Sequence, residues 1–70
     1  LFVEDDDPLI FYRAIATFAR QKLSIGGALF FECNEFNAGE VADLLRGIGF
    51  SAVALRKDIS GADRMVLGVL

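Results

Sequence analysis

Glu32-Cys33-Asn34-Glu35 sets two carboxylates, a thiol and a carboxamide side by side. Groups of these types hold protons, orient amides or bind cations, so they are the first candidates for chemistry. They follow Gly26-Gly27 and the run Ala28-Leu29-Phe30-Phe31, which is apolar at every position. A run without alternation reads as a strand buried on both faces. The carboxyl end of such a strand is where open α/β sheets bind ligands. Glu32 stands out, because a carboxylate that closes so apolar a strand needs a reason to be there. Asn34 and Glu35 fit structural or solvent-facing roles in the loop that follows. Cys33 reads as a small buried hydrophobe, since no His is present to activate it.

The remaining candidates have plainer readings. Gly26-Gly27 lacks the context of a phosphate loop, whose glycines follow a strand and open a helix; these follow a helix and open a strand. Glu4-Asp5-Asp6-Asp7 could be imagined as a metal site, but helix capping and solvation explain it better. Phe11, Phe18, Phe30 and Phe31 are expected in the core, because no basic residues interleave them as in a base-stacking platform. No metal-binding residue is expected.

Composition narrows the classes. The chain has 70 residues, 54% of them hydrophobic, with seven Phe. A mean hydropathy of +0.48 argues for a packed core and against disorder. A domain this small buries only about 60% of its unfolded surface. It can hardly cover both faces of a sheet. That limit, and a first residue that is Leu1 and not Met, lead to the expectation of a piece cut from a larger α/β domain. Net charge −3 argues against nucleic-acid binding. No apolar run approaches the ~20 residues of a membrane helix. One lone Cys suits the reducing cytoplasm.

Elements must position these residues. A helix is expected over about 8–23. Asp7 would cap it and Pro8 would take its first position. Phe11, Ala14, Ile15, Phe18 and Ala19 form its apolar stripe, with Arg13, Thr17 and Arg20 opposite. Lys22 would lay its stem on the core and lift its ammonium to water. A first strand follows at about 28–33. Asn37 and Glu40 have capping-box spacing for a second helix over about 38–47, which Gly47 or Gly49 stops. Strands at about 50–57 and 63–70 are joined by a turn at 58–62. Ala52 and Ala54 form a small-residue face suited to the close approach of a helix. Asp63 and Arg64 should make local ion pairs, one with Asp58.

The order helix, strand, helix, strand, strand makes an α/β unit as one domain, 1–70. The strand–helix–strand crossover favours parallel strands, and the last two strands should pair antiparallel. Periodicity leaves two arrangements open: the final strand lies outside the second, or inserts between the first and second.

Three motifs carry a resemblance to a known family. Asp7-Pro8-Leu9-Ile10-Phe11-Tyr12-Arg13-Ala14-Ile15-Ala16 resembles the helix after the catalytic motif of the HemK/PrmC family, the release-factor glutamine methyltransferases. Leu23-Ser24-Ile25-Gly26-Gly27-Ala28-Leu29-Phe30-Phe31-Glu32 is similar to that family's Leu-x-x-Gly-Gly strand ending in Glu. Lys57-Asp58-Ile59-Ser60-Gly61-Ala62-Asp63-Arg64-Met65-Val66 resembles its closing Lys-Asp-x-x-Gly-x-Asp-Arg hairpin.

The resemblance implies the C-terminal part of a class I, Rossmann-like methyltransferase fold. The parent would transfer a methyl group from S-adenosylmethionine to the side-chain amide of glutamine in peptide-chain release factors. It further implies a three-stranded mixed sheet in the order first, third, second, with the last strand antiparallel and inserted. The family's glycine-rich donor loop, its ribose-holding acidic residue and its Asn-Pro-Pro-Tyr motif match no position here. No catalytic or donor-binding residue is therefore expected, and the chain alone should be inactive and structural. Glu32, Asn34 and Glu35 would be its acceptor-side contribution. An unpaired first strand, 28–33, would offer a hydrophobic edge for homodimerisation. Two other readings are a free-standing α/β interaction module that adds strands to a partner, and the same fold with a nucleic-acid acceptor, which the acidic balance disfavours.

Overall fold

Helix α1, Ile10–Lys22, starts where Leu9 accepts the Arg13 amide at 2.9 Å. The computed structural model describes residues 8–70, so the expected Asp7 cap and the acidic run before it lie outside the described residues. Pro8 occupies a turn ahead of Leu9 and not the first helical position. Strand β1 is Ala28–Glu32, helix α2 Ala38–Ile48, strand β2 Ala52–Lys57 and strand β3 Asp63–Val69.

The capping box expected at the start of α2 does not form: Asn37 makes no side-chain cap bond. The chain is turned one step earlier, by Asn34. Its side-chain oxygen accepts the Phe36 amide at 2.9 Å, and its carbonyl accepts the Asn37 amide at 2.9 Å. The stop is Gly49. Its φ of +119° is disfavoured for other residues, and its amide and that of Phe50 close on the carbonyls of the last turn. Arg20 reaches across from α1 and donates from Nε to the Ile48 carbonyl at 2.7 Å. A cation at this end also complements the helix dipole.

The strands lie in the order β1-β3-β2. β3 runs antiparallel to both neighbours, with Phe31 and Leu55 each opposite Val66. The inserted arrangement is therefore the one adopted. β1 and β2 point the same way, as the crossover requires, with the reversed strand between them.

Cross-strand partners share a face, so register sorts the sheet into two sides. One side carries Leu29, Phe31, Val53, Leu55, Val66 and Gly68. Both helices pack there. α2 brings Ala38, Val41, Ala42 and Leu45, and α1 brings Ala16, into one buried cluster with Phe31, Cys33, Phe50 and Val66. Gly68 lets α2 come close: a Cβ there would stand 3.0 Å from Leu45 Cδ1 and 3.1 Å from Phe50 Cδ2.

The other side carries Ala28, Phe30, Glu32, Ala52, Ala54, Arg56, Met65, Leu67 and Val69. No helix among the described residues covers it. Three expectations are corrected here. β1 is buried on one face alone, with Phe31 inside and Phe30 53% exposed. The Ala52/Ala54 face is the open one, and the helices approach over Gly68 instead. The face that α1 buries is Leu9, Tyr12, Ala16, Ala19 and Leu23, while Ala14, Ile15 and Phe18 are exposed and Phe11 is half-buried. Small Ala16 and Ala19 allow α1 to approach the core closely, which the bulkier stripe would prevent.

Candidate functional site

The motif that begins at Lys57 folds into a loop built on one carboxylate. Asp58 Oδ1 accepts from the Ser60 hydroxyl at 2.6 Å, the Ser60 amide at 2.9 Å and the Ala62 amide at 3.1 Å. Its Oδ2 meets Arg64 Nε at 3.2 Å. The main chain closes the same loop, with the Asp58 amide on the Ala62 carbonyl at 2.8 Å. The Ser60 hydrogen bond, aided by the Ala62 and Ser60 amides and by the Arg64 charge, holds the Asp58 carboxyl below its usual pKa despite some desolvation. Lys57 and Asp63 pair beside it at 3.0 Å. The ion pairs expected around Asp63 and Arg64 are thus present.

This loop faces the carboxyl end of β1. Between them lies an open groove of about 300 Å³ lined by Glu32, Cys33, Asp58, Arg64 and Met65. Register fixes the meeting: Glu32 stands opposite Met65, and the Cys33 amide donates to the Arg64 carbonyl at 2.6 Å. The inserted strand is what carries Arg64 and Met65 to the end of β1. With β3 on the outside of the sheet, β2 would separate them.

Of the sequence candidates, Glu32 lies in the groove with its side chain exposed. Asn34 spends its side-chain oxygen on the turn before α2. Glu35 is exposed in that turn and does not line the groove. Cys33 is buried and sits beside Tyr12, whose ring packs edge-on against Phe31 at 5.1 Å. Burial pushes the Cys33 thiol up, and the hydrogen bond with Tyr12 only partly opposes this. The Tyr12 hydroxyl is raised too, first by burial and then by Cys33. A protonated, enclosed thiol is a packing group and not a nucleophile.

Sequence reasoning placed Asp58 in a turn and Arg64 at the start of the third strand, and missed both as groove walls. The signal was available in the Lys-Asp-x-x-Gly-x-Asp-Arg spacing, but it becomes a site only once β3 inserts. Among the described residues no group of three or more His, Cys, Asp or Glu could hold a metal ion. In chemical terms the groove has a hydrogen-bond acceptor in Glu32, a guanidinium already held by Asp58, and an apolar wall in Met65. Such a set can line and orient a polar chain; it has no base–nucleophile pair.

No family model matches the chain. Three curated bacterial proteins do, each named release factor glutamine methyltransferase. The protein of Flavobacterium psychrophilum is 47% identical over 66 residues, covering 94% of this chain and 23% of the relative. That of Bacteroides thetaiotaomicron is 41% identical over 66 residues, covering 94% and 24%. That of Clostridium acetobutylicum is 37% identical over 67 residues, covering 96% and 24%. The chain therefore spans about a quarter of the length of the curated relatives it matches. At this identity along nearly its whole length, the chain belongs to the release factor glutamine methyltransferase family.

Proposed function

We propose that this chain is the sheet-completing C-terminal portion of a class I, S-adenosylmethionine-dependent methyltransferase that acts on the side-chain amide of glutamine in peptide-chain release factors. The reading rests on one observation above the others: an antiparallel final strand wedged between two like-directed strands, in a chain whose relatives carry that name. Handedness supports the larger sheet. Strand–helix–strand crossovers are right-handed almost without exception. With α1 and α2 on one face, a parallel strand preceding α1 would have to lie on the free side of β1. Glu32 would then sit beside the end of that strand, on the acceptor side of a cleft.

The residues described here do not fit the methyl donor. Gly26-Gly27 opens a strand and not a helix, and a Cβ at Gly26 would meet nothing within 4 Å, so no backbone is shaped there around a ligand. Donor binding is assigned to the rest of the protein, and no step of the reaction is drawn through these residues. Their work is to close the sheet and to shape one wall of the acceptor side with Glu32, Arg64 and Met65.

Calorimetric titration of the 70-residue chain with S-adenosylmethionine tests this division. The expected trace shows no saturable heat. Specific micromolar binding would overturn the reading.

A further inference from the structure

The groove at the end of β1 supports a more specific reading, which rests on the function proposed above. Glu32 and Arg64 both line it, yet no ion pair joins these opposite charges. The ladder keeps them apart. Glu32 and its partner Met65 point to the open side of the sheet, so the next pair, Cys33 and Arg64, points to the helix side. The place of Cys33 in the core cluster agrees with this sense. The groove therefore crosses the end of the sheet, with an acceptor on one side and a donor on the other.

Asp58 decides what that donor can do. Ser60 and Ala62 occupy its Oδ1, which leaves Oδ2 to Arg64 Nε at 3.2 Å. The contact holds a long, flexible side chain by its inner nitrogen. A guanidinium carries more N–H groups than one carboxylate oxygen can accept, so part of it is unspent. Among the described residues no other one pairs with the Arg64 side chain, which is 47% exposed. Glu32 is exposed as well, with no partner among the described residues. Lys57 and Asp63, by contrast, satisfy each other at 3.0 Å and do not line the groove. An exposed ion pair adds little stability, so the Asp58–Arg64 contact is better explained by the direction it gives Arg64.

The charges also select the occupant. Glu32 would repel a carboxylate or phosphate, and Arg64 a cation. A donor and an acceptor set apart, with apolar Met65 beside them, match an uncharged chain that offers carbonyls and amides in turn: a polypeptide backbone. The preceding strand of the reading above would lie on the far side of β1, whereas this groove is set between β1 and β3. We propose that Arg64, aimed by Asp58, donates to a main-chain carbonyl of the release-factor segment bound here, and that Glu32 accepts a main-chain amide of the same segment. Asp58 is then a positioning residue, which touches no substrate and acts through Arg64.

Steady-state methylation by the full-length enzyme, with release factor varied at saturating S-adenosylmethionine, tests this. Arg64→Ala should raise the KM for release factor about tenfold, the worth of one hydrogen bond to a charged group, and leave kcat within about twofold. Glu32→Ala should act in the same direction. Asp58→Asn keeps an oxygen for Ser60 and Ala62 but releases Arg64, so it should raise the same KM about three- to tenfold. In the double variant the two effects should not add, because Asp58 then has nothing to aim. Asp63→Asn, which breaks the neighbouring ion pair, should match the wild type. Calorimetric affinity for release factor reads the same differences without turnover, and Arg64→Gln serves if Arg64→Ala does not fold. An unchanged release-factor KM in a folded Arg64 variant overturns the proposal. So does an Asp58→Asn effect that persists in full without Arg64. A wild type that methylates no release factor overturns the function proposed above and this inference with it, so the two failures are told apart.

Discussion

The two faces of this sheet are built from the same three strands and have opposite fates. On one, Phe31, Val66 and Gly68 meet two helices and become core; on the other, Phe30, Leu67 and Val69 meet none among the described residues. Neither face is polar. The open side is apolar along its middle rows, with Glu32 and Arg56 flanking Met65 at one end. A face designed for water alternates in the other sense, hydrophobic in and polar out. The difference teaches that burial in this chain follows where the helices fall and not where the hydrophobic residues are. Residues 8–70 carry core-forming sequence for two faces and covering for one.

The contrast breaks most sharply at Leu45, which is fully buried on α2. Leu45→Ala should lower unfolding stability by about 2–5 kcal/mol. A chain of this size has roughly 4–10 kcal/mol in total, so much of it goes. Phe30→Thr, which removes a larger side chain from the open face, should change stability by about 0.5 kcal/mol or less. Urea denaturation of both at low concentration compares them. Similar losses would mean that the open face is covered after all.

Gly68 sharpens the comparison, because it lies in the centre strand where α2 comes nearest. Gly68→Ala should cost about 1–3 kcal/mol by overpacking against Leu45 and Phe50. A neutral result in the same denaturation assay would show that α2 rides higher over the sheet than described.

The smallest effect belongs to the groove loop. Asp58 has its pKa lowered in the folded chain, foremost by the Ser60 hydroxyl. Its unfolded value is about 3.9. The contribution is therefore complete above that value and is lost as pH falls through the lower, folded one. Denaturant midpoints should fall on acidification below about pH 4, and Asp58→Asn should flatten that fall. An unchanged acid limb in the variant would remove Asp58 as its source.

The elements themselves were legible to within a few residues, since apolar periodicity and Gly49 mark them locally. The buried face of α1 was not. Its apolar residues span about half the helix, so periodicity admits two stripes, and packing chose the slimmer one through Ala16 and Ala19. Asn37 and Glu40 had the right spacing for a capping box, yet Asn34 had already turned the chain. Ala52 and Ala54 looked made for a helix, but the residue that admits α2 is Gly68, on the neighbouring strand and the other face. Glu32 was readable as a site candidate from its strand-end position alone. Asp58, Arg64 and Met65 were not, because they join it only through the ladder.

Periodicity and turn residues, written in contacts a few residues long, determined the five elements, and three motifs carried the resemblance to the family. Tertiary structure decided the rest: that β3 is wedged between β1 and β2, which side of the sheet is dry, and which side chains meet at the end of β1. Those outcomes depend on pairings between distant segments, where hydrogen-bond register and helix packing compete across the whole chain. No short window of sequence contains that competition.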